Sequence, residues 1–578
     1  MLSNCNKTIL KKPLSKLWVS ASKTRNYLLN DPIIDYFKLI NNKGNKNKFY
    51  KKKKILSFRD YLLDEGNKFE EKIYNELKKK FKKDIVKICD PIQSRQPKYF
   101  YNTVKEMEKG TPIIYQGVLY NIKKKIFGCP DLIVRCDYIN KIFNTKVIED
   151  KDLIKLSNNN YHYRIIDIKN SKLYFNSRNY TLRNKQNIKP FKSQIFIYNY
   201  CLGLIQNYTP TEAYILGNGS VQQKTEKKIK NIKYNNNSYD NAGIIDFSNF
   251  DSKYKELSFD AITWINDLNK NYTKWNLSPP SNINLYPNMN NYYDNPYKKR
   301  KIELAKKNHE ITNIWNCSIE HRSNAFNNNI YAWNDIDCNS KTLGIVGKNS
   351  IIIDNMLDFH RNKDNTFKIT KKIENINNWK NNNKLSMFVD FETINNLIPD
   401  INTYTFMIGI GWNENNKWKY KNFTTKNLTI NEEERIFNEF IDLYTNLCSK
   451  HNDNNPNVFH WSYAEKTIYN NLCKKYNKNL DIPWFDLLEI FKNNMIFIKD
   501  CYNFSLKNVG KGLSSLGLIN TTWDDNITDG LNAMFLSYKE YNKNRIINSN
   551  NKMMNDVIKY NEIDCKILWD IFNLLKKY

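Results

Sequence analysis

The stretch LSMFVDFETINN, residues 385–396, places two acids inside an otherwise apolar strand. Side chains at alternating positions of a strand point to the same face, so Asp390 and Glu392 are expected to lie side by side. Two like charges this close repel each other unless a positive group lies between them. The pattern therefore raises the question of which positive group lies between these two acids.

Later segments supply further carboxylates. YTFMIGIGW predicts a hairpin partner for the acidic strand, and NVFHWSYAEKTIYNNL predicts a strand that runs into a helix near Glu465. VIKYNEIDCKILWDIFNLL predicts an amphipathic helix on which Tyr560 and Asp564, four residues apart, share a face. A cluster of carboxylates drawn from separate elements can hold two magnesium ions.

The order of these motifs resembles the DEDD exonucleases of the RNase H-like fold, in the subgroup that carries a tyrosine. FVDFET, HWSYAE, FSLKNVGKGLSSLG and YNEIDCKILWDI are most similar to the YprB-type domain. The resemblance implies that Asp390, Glu392 and Asp564 bind metal. It also implies that Tyr560 orients the attacking water and that cleavage starts from a 3′ end. Lys507, within the third motif, is expected to contact nucleic acid.

One position departs from that family's pattern. Its second motif usually ends in aspartate, whereas this chain has Glu465, whose longer side chain could reach the metal from a shifted backbone. Asp486 in WFDLLEIF is the alternative, although related enzymes often have a structural acid there. Glu465 is favoured. Each motif alone is common on solvated surfaces, but their order and spacing together are hard to assign to chance.

A second acidic set lies in the N-terminal half. GCPDLIV places Asp131 at the start of one strand, and RIIDIKN places Asp167 and Lys169 on the same face of another strand. The flanking isoleucines imply burial, and a buried charge is costly unless it is paired or metal-bound. Such carboxylates could bind Mg²⁺ while the lysine orients water or offsets charge on phosphate. Glu70, on an amphipathic helix in SFRDYLLDEGNKFEEKIYNELKKKF, could add a ligand.

This half resembles the PD-(D/E)xK nucleases of the RecB type. The resemblance extends along VSASKTRNYLLNDP, GNKFEE, YQGVL, GCPDLIV, IDIKN and SQIFIYNY, between residues 18 and 216. It implies an active site on the strands described above and a helix motif near the substrate. The matching residues are Glu70, Asp131, Asp167 and Lys169 for the active site and Gln194 and Tyr198 for the helix motif.

The cysteines argue against a metal held by sulfur. The eleven cysteines show no CxxC pair, so neither a zinc site nor a disulfide framework is expected. Some RecB-type relatives carry an iron–sulfur cluster held by four cysteines. This chain has Asn30, Asp31 and Pro32 where the first is expected and lacks a later cysteine cluster, so no iron–sulfur cluster is expected.

The charge of the chain favours a polyanionic partner. Lys and Arg number 90 against 59 Asp and Glu, a formal net charge of +31. An AT-rich genome that enriches lysine and asparagine codons is the alternative explanation. The basic run of Lys51, Lys52, Lys53 and Lys54 could contact phosphates or could be an ordinary solvated segment.

The chain shows no apolar run of membrane-spanning length and no signal peptide, so a soluble, intracellular protein is expected, in the cytoplasm or a viral replication compartment.

These patterns predict an α/β protein with three parts. Residues 1–277 form a PD-(D/E)xK restriction-endonuclease-like domain, residues 278–384 a linker and helical connector, and residues 385–578 an RNase H-like exonuclease domain. Within the first part, the polar stretch 217–242 is expected to be an exposed insertion. Each domain is expected to use two Mg²⁺ or Mn²⁺ ions on nucleic acid, DNA rather than RNA, with a possible helicase or repair partner and no membrane. The alternatives are one active domain with the other gripping substrate, or a basic binding or packaging protein without activity.

Overall fold

The computed structural model divides the chain into two compact units, Met1–Asn308 (unit 1) and His309–Tyr578 (unit 2). The structure describes residues 12–578, except 45–57, 154–160, 177–180, 186, 227–228, 376–377, 382–383, 396–402, 415–416, 524–526, 528, 545 and 549. In this described part no helix has both the length and the apolar composition that a bilayer crossing requires.

Unit 1 mixes helices with short strands. Its helices are α1 (Arg25–Leu28), α2 (Ile33–Gly44), α3 (Phe58–Phe81), α4 (Pro97–Glu108), α5 (Cys136–Ile142), α6 (Ile188–Gln206), α7 (Tyr254–Asn271) and α8 (Lys298–Lys307). Its strands are β1 (Val19–Ser20), β2 (Ile85–Lys87), β3 (Ile113–Tyr115), β4 (Leu119–Asn121), β5 (Ile126–Gly128), β6 (Leu132–Arg135), β7 (Tyr163–Lys169), β8 (Leu173–Phe175), β9 (Glu212–Gly217), β10 (Ser220–Glu226), β11 (Ile229–Asn235) and β12 (Gly243–Asp246).

The largest sheet of unit 1 has six strands in the order β12-β9-β7-β6-β3-β2. Strand β6 lies antiparallel to β7 with Leu132 opposite Ile166, so the start of β6 meets the end of β7. Strand β9 lies parallel to β7, and α6 lies in the long connection that a parallel pair requires. Nearly all residues of β6 and β7 are buried, which explains their continuous apolar sequences.

The sequence GVLYNIKKKIFGCPDLIVRCDYI predicts adjacent strands of a hairpin. Strands β4 and β5 form that hairpin, but the run after GCP is strand only to Arg135 and joins the six-stranded sheet as β6, and CDYI begins helix α5. The polar stretch 217–242, predicted as an exposed insertion, contains the antiparallel strands β10 and β11, with β10 parallel to β8, so it includes sheet structure that its polar composition did not indicate.

The segment after α7 is fixed to the N-terminal helices by a buried ion network, which we name the Asp31–Lys301 clasp. Lys301 is fully buried, and its Nζ lies 2.7 Å from Asp31 Oδ2 and 3.1 Å from Asp294 Oδ2. Asp31 also accepts hydrogen bonds from the backbone N of Asn288 and from Nδ2 of Asn291. Buried charges are tolerated when they are paired in this way. The segment predicted as a linker therefore begins with residues that pack within unit 1.

Unit 2 contains the C-terminal elements. Its helices are α9 (Ile319–Asn327), α10 (Ser340–Leu343), α11 (Lys348–Arg361), α12 (Ile430–Lys450), α13 (Ala464–Lys475), α14 (Leu487–Asn493), α15 (Leu506–Ser515), α16 (Gly530–Lys543) and α17 (Lys552–Leu575). Its strands are β13 (Phe367–Ile369), β14 (Ser386–Ile394), β15 (Tyr404–Glu414), β16 (Lys417–Thr424), β17 (Asn457–His460), β18 (Trp484–Asp486) and β19 (Ile496–Ile498).

The main sheet of unit 2 has the order β16-β15-β14-β17-β18. Strands β14, β15 and β16 are antiparallel neighbours, which confirms the predicted hairpin, while β17 lies parallel to β14 and β18 parallel to β17. The acidic strand β14 is therefore central. Residues of the predicted helical connector, including Trp379, share one apolar core with Phe388, Phe459 and Phe572 of the sheet and last helix. The predicted three-part division of the chain stays a prediction.

Candidate functional site

Strand β14 presents two carboxylates on one face. Val389 and Phe391 pack into the apolar core, while Asp390 and Glu392, at the alternating positions, point the other way. The pairing register with β15 shifts directly after Glu392, and irregularities of this kind re-aim neighbouring side chains. The sequence prediction that the two acids lie together is confirmed.

The last helix, α17, brings a third carboxylate to this face. Ligand oxygens of Asp390, Glu392 and Asp564 all lie within 4.8 Å of one another. Among the described residues, this is the one group of three or more possible metal ligands that lie so close together. Their donor atoms are all carboxylate oxygens, the ligands that hard cations such as Mg²⁺ and Mn²⁺ prefer. The residues present thus fit a divalent metal ion.

Burial and mutual repulsion disfavour the charged forms of these acids. Burial, followed by the charge of Asp564, raises the pKa of Asp390 and of Glu392 well above their usual values. Burial is also the main cause that raises the pKa of Asp564 to about 7. An opposite charge among the oxygens favours the ionised forms. The cluster is therefore electrostatically suited to a bound cation.

Two neutral N–H groups hold two of the acids in place. Trp523 Nε1 donates a hydrogen bond to Asp564 Oδ1 at 2.7 Å. Asn561 Nδ2 donates to Asp390 Oδ2 at 2.7 Å, and Asn561 Oδ1 accepts from the Tyr420 hydroxyl at 2.8 Å. Sequence reasoning missed both donors. Asn561 was detectable beside the predicted tyrosine in YNEID, whereas the loop that carries the tryptophan matched no motif.

Tyr560 and Lys507 lie beside the cluster, and the roles predicted for them stay predictions. Tyr560 precedes Asp564 by one turn of α17, and burial followed by the nearby carboxylate charges raises the pKa of its hydroxyl. That hydroxyl therefore stays protonated and can donate a hydrogen bond. Lys507 Nζ lies 5.4 Å from the ring centroid of Tyr560 and 5.5 Å from that of Trp523, distances typical of cation–π contacts.

The two candidates for the fourth acid have different surroundings. Glu465 is buried, its Oε2 lies 3.4 Å from His460 Nδ1, and its charge contributes to the raised pKa of Asp390 after burial and Asp564. Asp486 Oδ1 instead caps α14 by accepting from the backbone N of Leu488, and it also accepts from the backbone N of Ser462. Asp486 Oδ1 therefore has a capping role, and the metal-binding roles predicted for Glu465 and, alternatively, for Asp486 stay predictions.

In unit 1, the strand pairing brings the predicted acids to a lysine. Lys169 Nζ lies 2.5 Å from Asp167 Oδ2 and 3.6 Å from Asp131 Oδ2. Asp131 Oδ2 also accepts a hydrogen bond from the backbone N of Ile168 at 2.6 Å. Burial disfavours the ammonium of Lys169, but the two carboxylates outweigh it and raise its pKa. Burial, then the Asp167 charge, raises the pKa of Asp131.

Glu70 joins this region from helix α3. Its Oε1 accepts hydrogen bonds from the Tyr115 hydroxyl at 2.9 Å and from Gln116 Nε2 at 2.8 Å. Gln116 adopts the left-handed backbone conformation with φ 52°, and its backbone N donates to the Asp131 carbonyl oxygen. A left-handed non-glycine residue is uncommon and here links Glu70 to the segment that carries Asp131. Gln116 was not among the predicted site residues.

Gln194 and Tyr198, the predicted helix motif, contact each other. Gln194 Nε2 donates to the Tyr198 hydroxyl at 2.7 Å. Burial, followed by the charges of Asp167 and Asp131, raises the pKa of Tyr198, which places that tyrosine beside the acids. Gly128 leaves room for the Tyr198 ring, since a Cβ at residue 128 would lie 2.1 Å from that ring.

The basic run at residues 51–54, predicted to contact phosphates, lies outside the described residues.

A comparison with known protein families matches a large part of unit 2. Residues 387–576 match the family model of the RNase H superfamily, which spans β14 through α17 and includes all three clustered acids. No curated protein matches the chain. The match supports an RNase H-like domain with nuclease-type activity on nucleic acid, a class that typically depends on divalent metal ions.

Proposed function

We propose that the RNase H-like domain is a metal-dependent 3′–5′ exonuclease of the DEDD type with a tyrosine, similar to YprB-type domains. The observation that carries this proposal is the convergence of Asp390, Glu392 and Asp564 within 4.8 Å, inside the matched residues. Buried carboxylates with raised pKa values need a cation for all three to ionise. Divalent ions bound there would activate water and neutralise charge on the scissile phosphate.

The residues around the acids have separate tasks in this proposal. The protonated hydroxyl of Tyr560 hydrogen-bonds and orients the attacking water. The Lys507 ammonium attracts the phosphate of the terminal nucleotide, since cations stabilise charge that develops on phosphate oxygens. Glu465 supplies the fourth acid, and its longer side chain compensates for the absence of aspartate.

We further propose that unit 1 is a second nuclease, of the RecB-type PD-(D/E)xK class. Support comes from the contact of Lys169 with Asp167 and Asp131 at the meeting point of β6 and β7. Glu70, Asp131 and Asp167 are all oxygen donors and suit Mg²⁺ or Mn²⁺. Lys169 would orient water or offset phosphate charge, and Gln194 with Tyr198 would contact the substrate. No iron–sulfur cluster has a part in this proposal.

The substrate is proposed to be DNA, with a helicase or repair partner as a further possibility. The net charge of +31 suits a polyanion of either kind. Two alternatives remain: one active domain with the other as a substrate grip, or a basic binding or packaging protein without activity. The presence of nearly the full acidic set in both units favours two active sites, because a decayed nuclease loses acids first.

A single-strand degradation assay tests the exonuclease proposal. The purified chain should shorten a 5′-labelled strand stepwise, EDTA should abolish shortening, and added Mg²⁺ or Mn²⁺ should restore it. Asp390→Ala should remove stepwise release, while Asp481→Ala, which alters an exposed acid of the same unit, should retain it. Robust shortening in EDTA, or stepwise 3′ release retained by the Asp390→Ala protein, would contradict the proposal.

A further inference from the structure

Trp523 contacts two charged groups of the candidate site in unit 2. Its indole N–H donates to Asp564 Oδ1 at 2.7 Å, and its ring lies 5.5 Å from Lys507 Nζ. The indole is 8% exposed, so this hydrogen bond is shielded from water. Shielded hydrogen bonds to carboxylates fix the orientation of the acceptor.

Helix α15 leaves space for the Trp523 indole at Gly510. Lys507 and Gly510 are three residues apart on α15 and therefore share a face of that helix. A Cβ at Gly510 would lie 2.9 Å from the Trp523 ring and 3.1 Å from Ile567 of α17. The absence of a side chain at this position therefore lets the ring lie directly on the backbone of α15, next to α17.

We propose that Trp523 is a positioning residue with two separable tasks, an inference that rests on the exonuclease function proposed above. Its N–H holds Asp564 in the orientation that binds metal. Its ring face, together with the Tyr560 ring, holds the Lys507 ammonium where the phosphate of the terminal nucleotide is received. One side chain thus links metal binding to phosphate binding.

Two substitutions separate these tasks. Trp523→Phe keeps an aromatic ring and removes the N–H, whereas Trp523→Leu removes both. Trp379→Phe is the matched control, because Trp379 is equally aromatic and buried but donates its N–H to the Glu374 carbonyl oxygen at 3.0 Å. Mn²⁺ affinity is measured by electron paramagnetic resonance without nucleic acid, with Asp167→Ala present in every protein compared, wild type included, so that the site proposed in unit 1 does not contribute. The kcat and KM for release of the 3′ nucleotide are measured at saturating Mn²⁺.

Trp523→Phe is expected to weaken Mn²⁺ binding about tenfold, as loss of a hydrogen bond to a metal ligand does, with KM for the strand unchanged. Trp523→Leu is expected to show the same loss and, in addition, a KM raised about threefold, the size of a lost exposed cation–π contact. Lys507→Met should raise KM without weakening Mn²⁺ binding. Trp379→Phe should change neither quantity.

Gly510→Ala provides a second line of test in which no ligand residue and no donor residue is itself substituted. Its added Cβ would displace the indole, so it should weaken Mn²⁺ binding in a folded protein, as judged by circular dichroism. If wild type binds Mn²⁺ and both Trp523→Phe and Gly510→Ala match it, the role of Trp523 is overturned while the exonuclease proposal stands. If wild type binds no Mn²⁺, both are overturned.

Discussion

In unit 1 a lysine lies against the acids, whereas in unit 2 three carboxylates converge within 4.8 Å of one another. Lys169 Nζ, 2.5 Å from Asp167, provides an internal cation for the first site. At the second site, burial and like charges raise the pKa of Asp390 and Glu392. Two sites that share one kind of chemistry therefore differ in how far the chain itself neutralises them.

The two sites therefore differ in whether their acids can be ionised when no metal is bound. A carboxylate paired with a buried lysine can stay ionised without a metal, because the opposite charge offsets the cost of burial. Clustered carboxylates without such a pairing are ionised together only when a cation binds among them. Unit 2 is therefore expected to depend on metal for charge balance as well as for activity.

The largest expected effect tests whether the two sites are independent. Asp390→Ala or Asp564→Ala should remove stepwise 3′ release and leave the cleavage by unit 1. Asp167→Ala or Lys169→Ala should remove the cleavage by unit 1 and leave stepwise 3′ release. Loss of one metal ligand commonly costs orders of magnitude in rate. The measurement is gel analysis of 5′-labelled strands with each variant and with Asp167→Ala/Asp390→Ala. If a single variant eliminated all cleavage, or if the double variant retained it, the sites would not be two independent catalysts.

Next in size is the removal of the internal cation. Lys169→Met leaves Asp131 and Asp167 buried without their lysine, and breaking a buried ion pair costs about 3 to 5 kcal/mol. Urea denaturation in EDTA should show this loss in the free energy of unfolding. Lys172→Met is the control, since Lys172 lies just after the same strand and its hydrogen bond to Asn236 is exposed to solvent. A loss no greater than the control would show that the pairing in unit 1 is not stabilising.

A smaller effect concerns pH and metal in unit 2. The pKa of Asp564 is about 7 in the folded protein against 3.8 as its ordinary value, so the folded state holds the proton more tightly. Stability in EDTA should therefore fall as pH rises from about 4 to about 7, by a few kcal/mol at about 1.4 kcal/mol per pH unit. Asp564→Asn should flatten this decline, and saturating Mg²⁺ should reduce it. Thermal unfolding across this pH range is the measurement, and equal slopes for wild type and variant would contradict the raised pKa.

The smallest expected effect is on nucleic-acid binding. Affinity should fall steeply with salt, because phosphate contacts release counterions. Asp390→Ala removes a negative charge and no phosphate contact, so its affinity should stay within about threefold of wild type at any one salt concentration. Fluorescence anisotropy with a labelled strand in EDTA measures both quantities. Loss of binding as complete as the loss of cleavage would assign Asp390 a structural role.

The acids were predictable because each lies in a motif whose local structure the sequence determines. The strand around Asp390 and the helix around Asp564 have clear periodicity. Their tyrosine and lysine neighbours came from the same motifs. Predictions of this kind succeed when the chemistry lies on regular elements.

The supporting groups were not predictable, because they depend on tertiary contacts. Trp523 reaches Asp564 across 41 residues from a loop without periodicity, and Tyr420 reaches Asn561 across 141 residues. The β10–β11 hairpin was missed because a stretch rich in Lys and Asn has the composition of an exposed insertion. Local sequence identifies reactive side chains more readily than the donors that hold them.

The Asp31–Lys301 clasp has a consequence for synthesis of the chain. Asp31 and Lys301 are separated by 270 positions, so Asp31 leaves the ribosome long before its cation is made. At about 5 to 20 residues per second, that interval is roughly 14 to 54 s. During it, the first helices cannot bury Asp31 as they do in the native protein, since a lone buried carboxylate is costly. Unit 1 therefore completes its folding only after α8 has emerged, and a nascent chain stopped at residue 277 should remain more sensitive to protease than one stopped beyond residue 308.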